Sequence, residues 1–203
     1  MIKPIPEYII YDWEKVHLAC ESGDINWLKE LLASGIDKNI KNDEGNTPII
    51  SAIREKEYEI IDYLITINVD IDGKTLVEAI YTDELTLIRK IINQGADINY
   101  ISKNGWNILI HFVVNANCSL LEWFLNNYSP NINYVDYEGL TAIFHASGLG
   151  YKEMTKLLIE KGANLSHKTF DGLTLIDWCN EMIENPNVKT IKELIKNATQ
   201  QKI

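Results

Sequence analysis

Gly105, Gly139 and Gly172 follow one another at almost equal steps, each inside the same short phrase, and no other feature restricts the fold as strongly. The phrases read Asn104-Gly105-Trp106-Asn107-Ile108-Leu109, Glu138-Gly139-Leu140-Thr141-Ala142-Ile143 and Asp171-Gly172-Leu173-Thr174-Leu175-Ile176, with an earlier copy at Glu44-Gly45-Asn46-Thr47-Pro48-Ile49. A second phrase alternates with the first: Gly35-Ile36-Asp37-Lys38-Asn39, Gly95-Ala96-Asp97-Ile98-Asn99 and Gly162-Ala163-Asn164-Leu165-Ser166. Asn68-Val69-Asp70-Ile71-Asp72 and Pro130-Asn131-Ile132-Asn133 are degraded copies of it. Self-similarity at such a period marks a linear array whose units bury their apolar faces against one another.

Between the phrases, apolar residues recur at helical spacing: Leu28, Leu31 and Leu32; Ile60, Ile61, Leu64 and Ile65; Leu87, Ile88, Ile91 and Ile92; Leu120, Leu121, Phe124 and Leu125; Met154, Leu157, Leu158 and Ile159. Such rows predict amphipathic helices with their stripes facing the stack. The Thr47-Pro48 pair suits a helix start, because a threonine hydroxyl can accept a backbone N–H and proline at the first position has none to leave unpaired. Gly35, Gly95 and Gly162 are placed to end the second helix of a unit in the left-handed conformation.

These phrases, together with Ala19-Cys20-Glu21-Ser22-Gly23 and Ala146-Ser147-Gly148-Leu149-Gly150, resemble the ankyrin repeat family over residues 12–198. The resemblance implies an all-α solenoid of five to six helix-turn-helix repeats with short β-hairpin fingers. Individual copies depart from the family pattern: only Thr47-Pro48 keeps the Thr-Pro pair, and the histidine that should follow it is mostly replaced. Repeats fall at residues 12–41, 42–72, 73–101, 102–135 and 136–168, with a capping repeat at 169–198 and a tail at 199–203. The step from Ala52 to Ala79 is clearly shorter than that from Gly105 to Gly139, so the finger between repeats two and three must be truncated, between Ile71 and Thr75. In the last unit Glu184-Asn185-Pro186-Asn187-Val188 lengthens the turn before a helix from Thr190 to Ala198, and Lys189, Lys192 and Lys196 suit the solvated face of a terminal cap. Residues 1–11, apolar and carrying Pro4 and Pro6, are expected to fold over the first repeat as an arm or cap, with a mobile binding arm as the alternative.

The formal charge of -10 repels phosphate backbones and anionic lipid, which excludes nucleic acid and membrane surfaces and favours a basic protein as partner. No apolar run approaches the roughly 20 residues that span a bilayer, and Met1 to Pro6 lacks a secretory h-region. A cytoplasmic location is expected, with export by a dedicated secretion machine left open. Cys20, Cys118 and Cys179 lie far apart without CxxC spacing, so they read as small buried hydrophobes rather than a disulfide framework or zinc site.

Templates for zinc peptidases, serine nucleophiles and nucleotide loops are all missing, and neither cofactor nor catalysis is expected. Asp70-Ile71-Asp72-Gly73 is half of a calcium loop, but Glu78 is too near to complete it, so no metal is expected. The resemblance places His17 where the family commonly has a histidine bonded to the neighbouring finger backbone, with His145 one residue beyond that position. His111 and His167 are the remaining histidines. A catalytic alternative would need His111, His145 and carboxylates to converge in an enclosed cleft with a strongly shifted pKa.

The resemblance further implies that partners bind the concave face and finger loops. Transferred to this chain, those positions are Asp43, Glu44, Arg54 and Glu55 in repeat two, Tyr81 in repeat three, and Asn104, Trp106 and Asn115 in repeat four. Repeat five supplies Tyr137, Glu138 and Leu149, and the cap supplies Phe170, Asp171 and Met182. Stability asks for no aromatic at a finger tip in water, so Trp106, Tyr137 and Phe170 are expected to be binding anchors, with packing against adjacent fingers as the alternative. Trp123 and Trp178, on helices among core residues, are expected to pack. The chain thus reads as a non-enzymatic protein-binding module, monomeric when free. Its role is either that of an immunity or inhibitor protein neutralising a basic toxin, or that of an effector or scaffold engaging a host or metabolic protein.

Overall fold

Each repeated apolar row folds into one helix of a pair. The computed structural model describes residues 11–181 and 186–201, in which twelve helices form and no sheet does. The pairs are α1 (Asp12–Glu21) with α2 (Ile25–Ala33), α3 (Pro48–Glu55) with α4 (Tyr58–Thr66), and α5 (Gly73–Ile80) with α6 (Leu85–Asn93). They continue with α7 (Ile108–Val114) and α8 (Cys118–Asn127), α9 (Ala142–Gly148) and α10 (Lys152–Glu160), and α11 (Leu175–Glu181) and α12 (Val188–Gln201). Odd-numbered helices pack successively against one another, and α10 packs against both α8 and α12 in the second row. The core is continuous from Val16 in α1 to Ile195 in α12, and the stacked rings of Phe112 and Phe124, 4.5 Å between centroids, join α7 to α8. Among the described residues no helix is long and apolar enough to cross a membrane.

The helix ends follow local chemistry, with one departure. Gly35, Gly95 and Gly162 take φ of 98°, 96° and 90° just beyond α2, α6 and α10, and in the degraded copy Asn68 takes φ 54° instead. Asn107 and Asp72 cap α7 and α5 through side-chain oxygens that accept from the Ile110 and Thr75 amides. Thr47 stands at the N-cap of α3 with Pro48 behind it, but its hydroxyl makes no capping bond and is buried without a partner among the described residues. Proline at the first position removes one orphan donor by itself, so the helix start rests on Pro48 rather than on the expected threonine hydroxyl.

The fingers are tight turns rather than strand ladders. Four copies share one pattern: the first residue's amide donates to the carbonyl four positions on, and the glycine's amide donates back to the first carbonyl. Asn42 with Asn46 and Gly45, Ser102 with Trp106 and Gly105, Asp136 with Leu140 and Gly139, and Thr169 with Leu173 and Gly172 all do so. Pairing beyond the turn is limited, among the described residues, to the single bridges Ile101 to Asn107 and Lys168 to Thr174. Between repeats two and three the finger is absent, as the short step implies. Asp72 leads directly into α5, and Gly73 lies so close beneath Tyr100 that an added Cβ would stand 2.0 Å from the tyrosine Cβ.

The cap helix α12 is longer than expected, taking in Val188 at its start and Gln201 at its end, so part of the expected tail is helical. Of the arm expected at residues 1–11, all but Tyr11, which stands at the N-cap of α1, lies outside the described residues, as does Met182. Cys20 and Cys179 are buried as expected, and burial pushes the Cys20 thiol up to about 12, whereas Cys118 is only half-buried.

Candidate partner-binding site

The first side chain of each finger decides how well its turn is held. Asn42 Oδ1 accepts from the Glu44 and Asn46 amides at 3.0 and 2.9 Å, and Asp136 Oδ1 accepts from those of Glu138 and Leu140, both at 2.9 Å. Thr169 Oγ1 accepts one bond, from Leu173 at 3.2 Å, while Ser102 Oγ is buried with no partner among the described residues. Asp136 is fully buried, and its second oxygen receives His145 Nε2 at 2.7 Å, which ties finger five to α9. His17 does what the resemblance implies, with Nε2 3.0 Å from the Ile40 carbonyl, and His167 makes the corresponding kind of bond to Gly139 at 2.9 Å.

Trp106 does not protrude. It follows its glycine, whereas Tyr137 and Phe170 come before theirs, so the three rings do not occupy equivalent positions on their fingers. The indole is half-buried between His111 and His145, edge-on to both at centroid distances of 5.6 and 5.4 Å. Tyr137 and Phe170 are the exposed pair, at 69% and 74%, and each lies over the glycine of the preceding finger. Gly139 has φ 82°, and a Cβ there would stand 2.7 Å from the Phe170 backbone nitrogen. Gly139→Ala therefore combines left-handed strain with a backbone clash and is expected to lower unfolding stability by about 2 kcal/mol. Denaturant melts read this, and a variant as stable as wild type would show that the finger stack yields easily.

Behind Trp106 opens a cleft of about 300 Å³ lined by Trp106, Val114, Glu138, Leu140, Phe144, His145, Gly148, Leu149 and Trp178. Fingers four and five, α7, α9 and α11 all contribute, so three successive repeats build it. Trp178 packs as expected, its indole N–H donating to the Phe144 carbonyl at 3.0 Å, and it is also a wall of the cleft. It can lie there because Gly148 has no Cβ, which would come 2.6 Å from that nitrogen.

The histidines of the catalytic alternative do approach one another, but Trp106 stands between them. His145 Nε2 is held by Asp136, and His111 Nδ1 lies 3.0 Å from the Tyr81 hydroxyl. Burial drives His111 down to about 4, which keeps the ring neutral. The column works as packing, with apolar walls and a single carboxylate facing the cleft.

The remaining expected positions divide by surroundings. Arg54 bridges Glu44 at 3.2 Å and Glu78 at 2.7 Å, linking finger two to α5 across the missing finger, and the guanidinium holds Glu44 below the usual carboxylate range. Asn115 is a clamp, donating to the Ile80 carbonyl and to Asp83 in the preceding repeat. Tyr81 is exposed on one side and bonded to His111 on the other. Asp43, Glu55, Asn104 and Asp171 are exposed. Glu138 and Leu149 line the cleft, and Leu149 is 45% exposed. Phe144, His145 and Gly148 are cleft residues outside the expected contact positions. The repeat register carries a signal for two of them, since Phe144-His145 follows Ile110-His111 by the same step that separates Gly139 from Gly105.

The sequence model of the family described as ankyrin repeats (3 copies) matches residues 16–101 and 76–169. The ankyrin repeat protein YahD of Escherichia coli (strain K12) is 27% identical over 158 residues, covering 72% of this chain and 79% of YahD. An ankyrin repeat protein of Rickettsia felis is 27% identical over 202 residues, covering 79% of this chain and 53% of that protein. The palmitoyltransferase AKR1 of Lachancea kluyveri is 24% identical, with 91% of this chain spanning only 26% of the enzyme. Among solved structures, one chain of the predatory endopeptidase Bd0816 from Bdellovibrio bacteriovorus in complex with immunity protein Bd3460 superposes with TM-score 0.75 and 25% identity. That match covers 89% of this chain and 97% of the other. An ankyrin repeat domain from Acinetobacter baumannii AYE has TM-score 0.75 and 22% identity, covering 91% and 97%.

Proposed function

The chain belongs to the ankyrin repeat family, a family of protein-interaction modules, and from that premise we propose that a partner protein docks on the finger side of repeats four to six. The observation that carries this is the cleft behind Trp106, together with the two most exposed large hydrophobic rings among the described residues, Tyr137 and Phe170, which lie over Gly105 and Gly139 on the fingers that supply cleft residues. Large apolar rings left exposed beside an apolar cleft on a charged stack suit a recognition site. The relation to the palmitoyltransferase spans a quarter of that enzyme, and the buried histidines are committed to packing, which supports a module without catalysis of its own.

Within that role we favour an immunity or inhibitor protein, monomeric when free, that neutralises a basic protein. A net charge of -10 attracts such a partner, and the solved complex with similar architecture contains an immunity protein. The test is capture from source-cell lysate on immobilised wild type and on a Trp106→Ala, Tyr137→Ala double variant whose circular dichroism matches wild type. Loss of two central aromatic contacts should weaken retention at least about tenfold, whereas Glu30→Ala with Glu59→Ala, two exposed carboxylates on α2 and α4 outside the expected contact positions, should leave it unchanged. Equal retention by the aromatic double variant would place the partner elsewhere.

A further inference from the structure

Glu138 is the one carboxylate in the wall of the cleft behind Trp106; its side chain is exposed, and none of the ion pairs among the described residues engages it. Glu44 and Glu78 are paired with Arg54 and Asp136 is bonded to His145, whereas Asp43 and Asp171 are exposed on other fingers and do not line the cleft, so Glu138 is the carboxylate available to an occupant there. We propose that the cleft receives one basic side chain of the partner protein, a lysine or arginine whose aliphatic stem lies along Trp106 and Trp178 and whose cation meets Glu138. This inference rests on the docking site proposed above and specifies its chemistry.

Three considerations select that occupant. The walls other than Glu138 and His145 are apolar, and lysine and arginine bury their hydrocarbon stems on such surfaces while the charged head stays at the rim. Indole rings attract a cation placed over them, and tryptophan does so best among aromatic side chains. A purely aliphatic occupant would desolvate Glu138 without a countercharge, and an acidic one would meet both Glu138 and a net charge of -10. His145 does not compete for the cation's place, because its Nε2 is held by the buried Asp136. A volume of about 300 Å³ lies at the small end of ligand pockets and suits one long side chain rather than a helix.

The test uses blocked alanine tripeptides with arginine, lysine, norleucine or glutamate at the centre, titrated into the full chain while the Trp106 and Trp178 indole N–H resonances are followed. The arginine and lysine probes should shift both signals saturably. Norleucine, which keeps the stem without the charge, should bind at least about fivefold more weakly, the loss expected for one partly desolvated charge contact. In Glu138→Gln that preference should fall to less than about twofold. Norleucine binding as tightly as arginine, unchanged arginine affinity in Glu138→Gln, or no shift with any probe would each overturn the proposal. The same variant separates this inference from the docking site. If Glu138→Gln captures the lysate partner as well as wild type while the Trp106, Tyr137 double variant does not, the docking surface stands and the basic side chain falls.

Discussion

Replacing Asp136 with alanine is expected to destabilise the protein by about 3–5 kcal/mol, equivalent to a fall in Tm of about 10 °C for a chain of this size. Its carboxylate is fully buried and accepts three bonds, from the Glu138 amide, the Leu140 amide and His145 Nε2, at 2.9, 2.9 and 2.7 Å. Alanine strands all three donors at once, and Leu140 is itself buried, so water cannot readily replace the acceptor. Asparagine is the informative contrast. It keeps the Oδ1 acceptor that holds the turn, and Asn42 already performs that task in finger two with a neutral amide. Asp136→Asn should therefore cost about 1 kcal/mol, with the His145 contact bearing the loss. Denaturant melts of both variants decide the matter, and equal stability of the alanine and asparagine forms would show that the turn does not depend on this side chain.

The second large effect concerns acid. Burial lowers His111 to about 4 from its ordinary value near 6.5, so between those two pH values the unfolded chain binds a proton that the folded one refuses. Stability falls as pH falls through that window, by on the order of 3 kcal/mol from His111 once it is crossed. Burial lowers His17 as well, adding a loss of the same sign, so the comparison must isolate one ring. His111→Gln should lose less stability than wild type between pH 7 and pH 4.5, and identical losses would refute the assignment.

The same position allows a gain. Ser102 and His111 stand one repeat before Asp136 and His145, and both Ser102 Oγ and His111 Nε2 are buried without partners among the described residues. An aspartate at 102 can accept from the Asn104 and Trp106 amides as Asp136 does in finger five, and it can offer His111 a carboxylate. Ser102→Asp is expected to stabilise the protein by about 1–2 kcal/mol at neutral pH and to shrink the acid loss. A variant less stable than wild type with an unaltered acid loss would mean that finger four cannot accommodate the carboxylate.

The array itself is legible in the sequence, because its evidence is local and repeated. Glycines at a near-constant step, apolar rows at helical spacing and the short step between Ala52 and Ala79 already specify paired helices, the helix stops and the missing finger. Each of those properties depends on a backbone conformation or on which face of a single helix is apolar, and a short stretch of residues contains both. The surface is different in kind. Nothing in the phrase around Gly105 says that Trp106 turns inward between His111 and His145, or that Thr47 leaves its hydroxyl unused while Asp72 and Asn107 cap. Those outcomes turn on distances between residues about one repeat apart, such as Gly148 beneath Trp178 or Gly105 beneath Tyr137. Helical spacing dictates which residues leave water, but whether a buried polar group finds a partner, or an aromatic ring finds a glycine to lie on, is settled only when neighbouring repeats stack.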